Sequence, residues 1–177
     1  DKDNLPKLPG RLMDKYMLNI EKKCELAGDL VDIIRFGDDL GMTSGPFMDL
    51  DTFRCLFKPR YKELCNFIKN KSNMKIFLHA CVSVKQYIPD LIKSGFDILN
   101  PVQINCHDMD LAGLKKEYGN EITFWGGGVD TASVLPTARP EDVREDVLRR
   151  CEIFARGGGC VFAPIHNILP EVPVENI

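Results

Sequence analysis

The spacing of apolar positions switches repeatedly between helical periodicity and short unbroken runs, and each switch marks an element. Leu12, Tyr16, Ile20, Leu26 and Leu30 recur among polar residues, which predicts a helix from 12 to 30, frayed at Gly28-Asp29. VDIIRFG at 31–37 is a β-branched run closed by Gly37, Asp38, Asp39 and Gly41, and predicts a buried strand emptying into a polar loop. The turn-rich TSGPF at 43–47 follows. Asp49 or Asp51 can cap the next segment, where Phe53, Leu56, Phe57, Tyr61, Leu64, Cys65 and Ile68 carry helical spacing to Lys69, with a kink or break at Pro59. The pattern then reads strand 74–80, helix 87–93 ended by Gly95, strand 96–100, helix 109–117, strand 121–126, helix 141–155 with its many charges facing water, and strand 160–164. No repeat of fixed period is visible.

Strict alternation of strand and helix predicts right-handed βαβ units and a parallel sheet covered by helices. Two architectures share that unit. A doubly wound sheet needs a G-x-G-x-x-G turn opening a helix after its first strand, and the nearest run, GGG at 126–128, leads instead into Val129-Asp130-Thr131 and a long connection. In a barrel every strand's C-terminal end faces the active site. Here the strands end in Asp38 and Asp39, His79 and Cys81, Asn100 and Gln103, Gly126 to Asp130, and His166 and Asn167. The expected fold is therefore a parallel (β/α) barrel of TIM type. A full barrel takes roughly 250 residues and eight strands, so residues 1–177 are expected to form one domain holding about five of the eight units.

Charge and composition narrow the partners. Lys+Arg 23 against Asp+Glu 26 gives −3, with no basic surplus to neutralise a phosphate backbone, so nucleic acid is not expected and a small acidic or neutral molecule is. VDII at 31–34 and KIFL at 75–78 are far shorter than the ~20 apolar residues of a membrane span. The chain begins at Asp1 with no secretory pattern, and its seven scattered cysteines suit reduced thiols, so a cytoplasmic location is expected.

Period-2 geometry puts His79 and Cys81 on one face at a strand end, where imidazole and thiolate can bind one ion; the alternative is a buried histidine bonded to backbone beside an inert core thiol. His166 lies past the last strand on the same side. Of Asp38 and Asp39, one can point into the mouth to bind an N–H donor such as an amine, or a metal, although paired acids after a strand also cap helices. Asn100 and Gln103 bracket Pro101 as neutral hydrogen-bonding groups, or simply satisfy their loop. The GGGVD run, with Gly127 and Asp130, leaves backbone N–H groups uncovered for an anionic substrate. His107 is expected to face solvent. Cys106 lies on the mouth side. Cys160 directly follows GGG at 157–159 and so opens its strand, ~16 Å of strand rise from the mouth, which excludes it as a zinc ligand. Asp38, His79, Cys81, Asn100 and His166 should converge at one end.

The segments IIRFGDDLG (33–41), KPRYKEL (58–64), IFLHACVSV (76–84), FDILNPVQ (96–103), LKKEYGNEITFWGGGVDT (114–131) and CVFAPIHNILPEVPVENI (160–177) occur in an order that resembles the second half of the uroporphyrinogen decarboxylase superfamily. That superfamily includes the haem-pathway decarboxylase and zinc-dependent, corrinoid-linked methyltransferases. The resemblance implies a barrel whose N-terminal strands and final helix lie outside these residues. His79 and Cys81 resemble the H-x-C part of the methyltransferases' zinc motif, in which zinc would lower the pKa of a thiol substrate that takes a methyl group from a corrinoid protein. Relatives often have glycine at the place of Val82. His166 matches a strand-end histidine of the decarboxylase branch, held near a substrate carboxylate or pyrrole, and could also complete a zinc site. The order of preference is zinc-dependent methyl transfer to a thiol, then decarboxylation of a tetrapyrrole without a metal, then a barrel remnant that only binds a partner.

Overall fold

The structure is a computed structural model and describes residues 7–177. Helix α1 (Lys7–Ala27) leads into β1 (Ile33–Gly37), and β2 (Gly41–Met42) with β3 (Gly45–Pro46) forms a minimal antiparallel hairpin in the turn-rich loop. Next come α2 (Leu50–Leu56), α3 (Lys58–Lys71), β4 (Lys75–His79), α4 (Ile88–Ser94), β5 (Ile98–Asn100), α5 (Leu111–Tyr118), β6 (Thr123–Trp125), α6 (Pro140–Phe154) and β7 (Cys160–Val161). Among the described residues one sheet runs β1-β4-β5-β6-β7 with every neighbouring pair parallel. It is an incomplete parallel (β/α) barrel.

Local chemistry places the breaks. The Asp49 carboxylate accepts a hydrogen bond from the Thr52 N–H at 2.8 Å and starts α2. Pro59 stands in the first turn of α3, where its missing N–H costs nothing, so the long helical pattern becomes two helices. The last strand is shorter than expected, yet its ladder continues beyond it: Gly126 donates to the Val161 carbonyl, Gly128 to Ala163, and Ile165 back to Val129.

Strand alternation separates two faces. Ile34, Phe36, Ile76, Leu78, Ala80, Leu99 and Phe124 face the helices and form the main core with Phe53, Leu64, Ile68 and Leu91. The opposite, inner face carries Arg35, Phe77 and Trp125. Phe77 meets Trp125 edge to face at 5.4 Å, and the Arg35 guanidinium lies 6.0 Å over the Phe77 ring. An arginine inside the most apolar strand run is therefore an inner-face residue.

Two helices differ from expectation. In α1 the buried stripe is Ile20 and Cys24, with Met13 and Met17 packed beside them, while Leu12, Tyr16, Leu26 and Leu30 are exposed. In α6 not every charge faces water: Asp146 and Arg150 are buried and paired at 2.5 Å. Among the described residues no helix is long and apolar enough to cross a membrane, and all seven cysteines are free.

Candidate functional site

Parallel pairing aligns Gly37, His79 and Asn100 in one row at the C-terminal end of the sheet. His79 Nδ1 lies 2.6 Å from Asn100 Oδ1, and the Asn100 amide Nδ2 donates to the Trp125 carbonyl at 2.9 Å. On its other side, His79 Nε2 is 3.1 Å from Cys81 Sγ. The Asp39 carboxylate completes the group, with one donor atom from each of Asp39, His79 and Cys81 within 4.8 Å of the others. Burial pushes the Cys81 thiol up, the nearby Asp39 charge pushes it further, and Arg35 opposes both. The net rise keeps the sulfur protonated at neutral pH.

Asp38, expected to converge with His79 and Cys81, does not join this group. The Asp38 N–H extends the strand ladder to the His79 carbonyl, and its side chain turns to the helix layer, where the Tyr61 hydroxyl donates to it at 2.8 Å. Burial raises the Asp38 carboxyl, the Tyr61 hydrogen bond offsets part of that, and the Asp39 charge adds to it. Asp38 thus serves the wall of the barrel and Asp39 its mouth, because consecutive strand residues face opposite sides.

Other expected site residues are also placed differently. His166 is exposed and lies outside the Asp39, His79 and Cys81 group. The Asn100 amide is engaged within the protein at both ends, Oδ1 with His79 and Nδ2 with the Trp125 carbonyl, which leaves one of its two N–H donors over. Gln103 is buried and accepts the Val82 N–H at 3.1 Å. Val82 has φ 71°, a conformation that a β-branched residue resists, which explains why glycine suits that position. The glycine run is not an anion cradle: the Gly126, Gly127 and Gly128 N–H groups donate to Val161, Pro101 and Ala163. A Cβ on Gly126 would sit 1.7 Å from the Pro101 carbonyl oxygen, and one on Gly127 would strike Phe154 and Leu111. These glycines serve close packing. Asp130 is buried and caps its own loop, accepting from Ala132 N, Ser133 N and Ser133 Oγ.

Cys160 is not at the barrel floor. It shares the row Leu78, Leu99, Phe124, Cys160, one residue below His79 and Asn100. It is nevertheless separated from the site, since it packs against the outer core and stands three strands from β4. His107 is exposed beside Asp108, as expected, and Cys106 is buried.

The chain matches the uroporphyrinogen decarboxylase (URO-D) family over residues 10–177. It belongs to that family. No curated protein matches the sequence at a significant level. Among solved structures, a methyltransferase from Methanosarcina mazei aligns with TM-score 0.59 and 20% identity, over 99% of this chain and 50% of that one. The chain thus spans half the length of that relative, and at this identity the likeness concerns the fold.

Within this URO-D domain, sequence reasoning missed Arg35. Its signal was present: a cation interrupting VDIIRFG, where a wholly buried strand would carry none. Arg35 is exposed on the inner face, below the mouth, and its charge reaches the Cys81 thiol.

Proposed function

We propose that residues 1–177 form a single domain, the C-terminal portion of a URO-D barrel, and that the enzyme removes carboxylate groups from a tetrapyrrole such as uroporphyrinogen. The observation that carries this reading is the inner-face set of one family fold, with Asp39 and His79, a carboxylate and an imidazole, at the mouth and Arg35, a cation, below them. Arg35 offers a planar, permanently charged partner for a substrate carboxylate. Asp39 can accept pyrrole N–H groups. The ring then serves as the electron acceptor: once it is protonated, the C–C bond to the departing CO2 releases its electron pair into the ring, the exocyclic carbon takes up a proton, and the ring gives one back. Full-length protein treated with a chelator should convert uroporphyrinogen to products with fewer carboxylates. Arg35→Gln should lower kcat/KM by ~30-fold or more, the scale of one charge-assisted contact. Failure to release CO2 from any carboxylated tetrapyrrole would remove the reading.

A second reading, zinc-dependent methyl transfer, is favoured by one observation. Imidazole nitrogen, thiol sulfur and carboxylate oxygen stand within 4.8 Å, and a tetrahedral zinc needs N···S separations of ~3.5 Å, so small side-chain shifts suffice and the donor set fits. His79, Cys81 and Asp39 would hold the ion, with Asp39 in the place expected of His166. Bound zinc supplies a Lewis acid that lowers the pKa of a substrate thiol. A corrinoid protein would be the methyl source. Activity found only with zinc, a thiol and a methylated corrinoid would promote this reading over the first.

A further inference from the structure

The Asn100 side chain is an amide whose orientation its surroundings decide. The Trp125 carbonyl can only accept, so the atom 2.9 Å from it must be the Asn100 NH2 group. The opposite atom, Oδ1, therefore faces His79 Nδ1 at 2.6 Å, and an amide oxygen can only accept. A neutral imidazole carries one proton, which must then lie on Nδ1. The Nε2 lone pair is left bare on the side where Cys81 Sγ stands at 3.1 Å and Asp39 is within reach. The Cys81 S–H donates to it.

We propose that Asn100 is a positioning residue of the site, which fixes His79 as its Nδ1–H tautomer and so presents the Nε2 lone pair to the mouth of the barrel. The consequence is chemical. With the proton on Nε2 the same imidazole would be a donor at the mouth, unable to accept a proton or bind a cation there. The backbone reinforces the contact: the Ala80 N–H donates to the Asn100 carbonyl at 2.8 Å, which holds the two strand ends in register. The Trp125 carbonyl, on the third strand, anchors the chain of bonds. This inference rests on reading Asp39, His79 and Cys81 as the reacting end of the barrel.

The test is the tautomer itself. The chain has three histidines, so His107 and His166 serve as internal controls for a long-range proton–nitrogen correlation spectrum of 15N-labelled full-length protein, with His79→Gln identifying the His79 signals. At a pH where the ring is neutral, His79 should show a protonated Nδ1 and a bare Nε2. Asn100→Ala should lose that pattern in favour of the Nε2–H form, and Asn100→Asp, which keeps an acceptor in place, should retain it, with His107 and His166 unmoved in both. A His79 that is Nε2–H in the unaltered protein overturns the proposal without any variant. Nδ1–H persisting undiminished in folded Asn100→Ala also overturns it. A parallel titration with Co2+ should show about 10- to 100-fold weaker retention in Asn100→Ala, the usual effect of losing a group that orients a ligand histidine. The tautomer is read with neither metal nor substrate present, so it can fail while the assignment of the site stands, and the assignment can fail while the tautomer stands.

Discussion

Asp90 ties three helices together at one carboxylate. It lies in the first turn of α4 with its side chain 2% exposed, and it accepts Arg54 Nε of α2 at 2.7 Å and Lys58 Nζ of α3 at 2.5 Å. Burial by itself would raise this carboxyl, but the hydrogen bonds and charges of Lys58 and Arg54 together outweigh it and hold the pKa below its ordinary value. Asp90→Ala should lower unfolding stability by ~2 kcal/mol, less than a fully buried pair would lose because both cations stay partly solvated; the denaturant midpoint measures it. Gly126→Ala should be worse still. The new Cβ would overlap the Pro101 carbonyl at 1.7 Å in a backbone with φ 135°, and no side-chain movement relieves a clash with backbone. Poor yield of folded protein is the expected outcome. At this scale the sequence showed which residue types stood at the mouth, but not which of two neighbours faced it. Asp38 and Asp39 are chemically identical, and only the register of β1 sends one to Tyr61 and the other to His79.

Elements were legible where period and cap agreed. The α2–α3 break at Pro59 and the cap at Asp49 lie where the pattern put them, because both are local effects of backbone geometry. Helix α1 was legible as a helix and misread as a surface. It offers two apolar stripes about 100° apart, and the one with larger side chains, Leu12 and Tyr16, is the exposed one. Ile20→Ala should therefore cost ~2–4 kcal/mol, whereas Leu26→Gln, at a position 80% exposed, should change stability by less than ~0.5 kcal/mol. Equal costs for the two would contradict the observed facing. Helix α6 misled for a related reason. Charge was taken as a sign of solvent, yet Asp146 and Arg150 neutralise each other four residues apart and are buried as a pair.

For the molecule as a whole, acid should destabilise. Asp90 and Asp146 both have carboxyls held below the ordinary value, despite burial, by the cations that bind them. The unfolded chain therefore binds more protons than the folded one in the range just below pH ~4, and stability present above that range is lost as pH falls through the folded values. Asp38 acts oppositely, since its raised carboxyl makes the folded state the tighter proton binder, and so softens the decline at slightly higher pH. Thermal melts from pH 6 to pH 3 should fall, and Asp90→Asn should flatten part of that fall. A flat profile in the unaltered protein would contradict the ion-pair account.

The sequence by itself determined the alternation of strand and helix, hence the parallel sheet and its strand order, because hydrophobic period and turn chemistry act over a few residues and the handedness of βαβ units leaves little choice. It also determined that a histidine and a cysteine two apart would share a face at a strand end. Tertiary structure alone decided what joined them. Asp39 reaches the pair while His166 does not, and the Asn100 amide bridges His79 and the Trp125 carbonyl. The glycine run serves packing, and Arg35 stands on the inner wall. Each of these depends on residues brought together across strands far apart in sequence, where register and facing are fixed by the packing of the whole sheet against its helices.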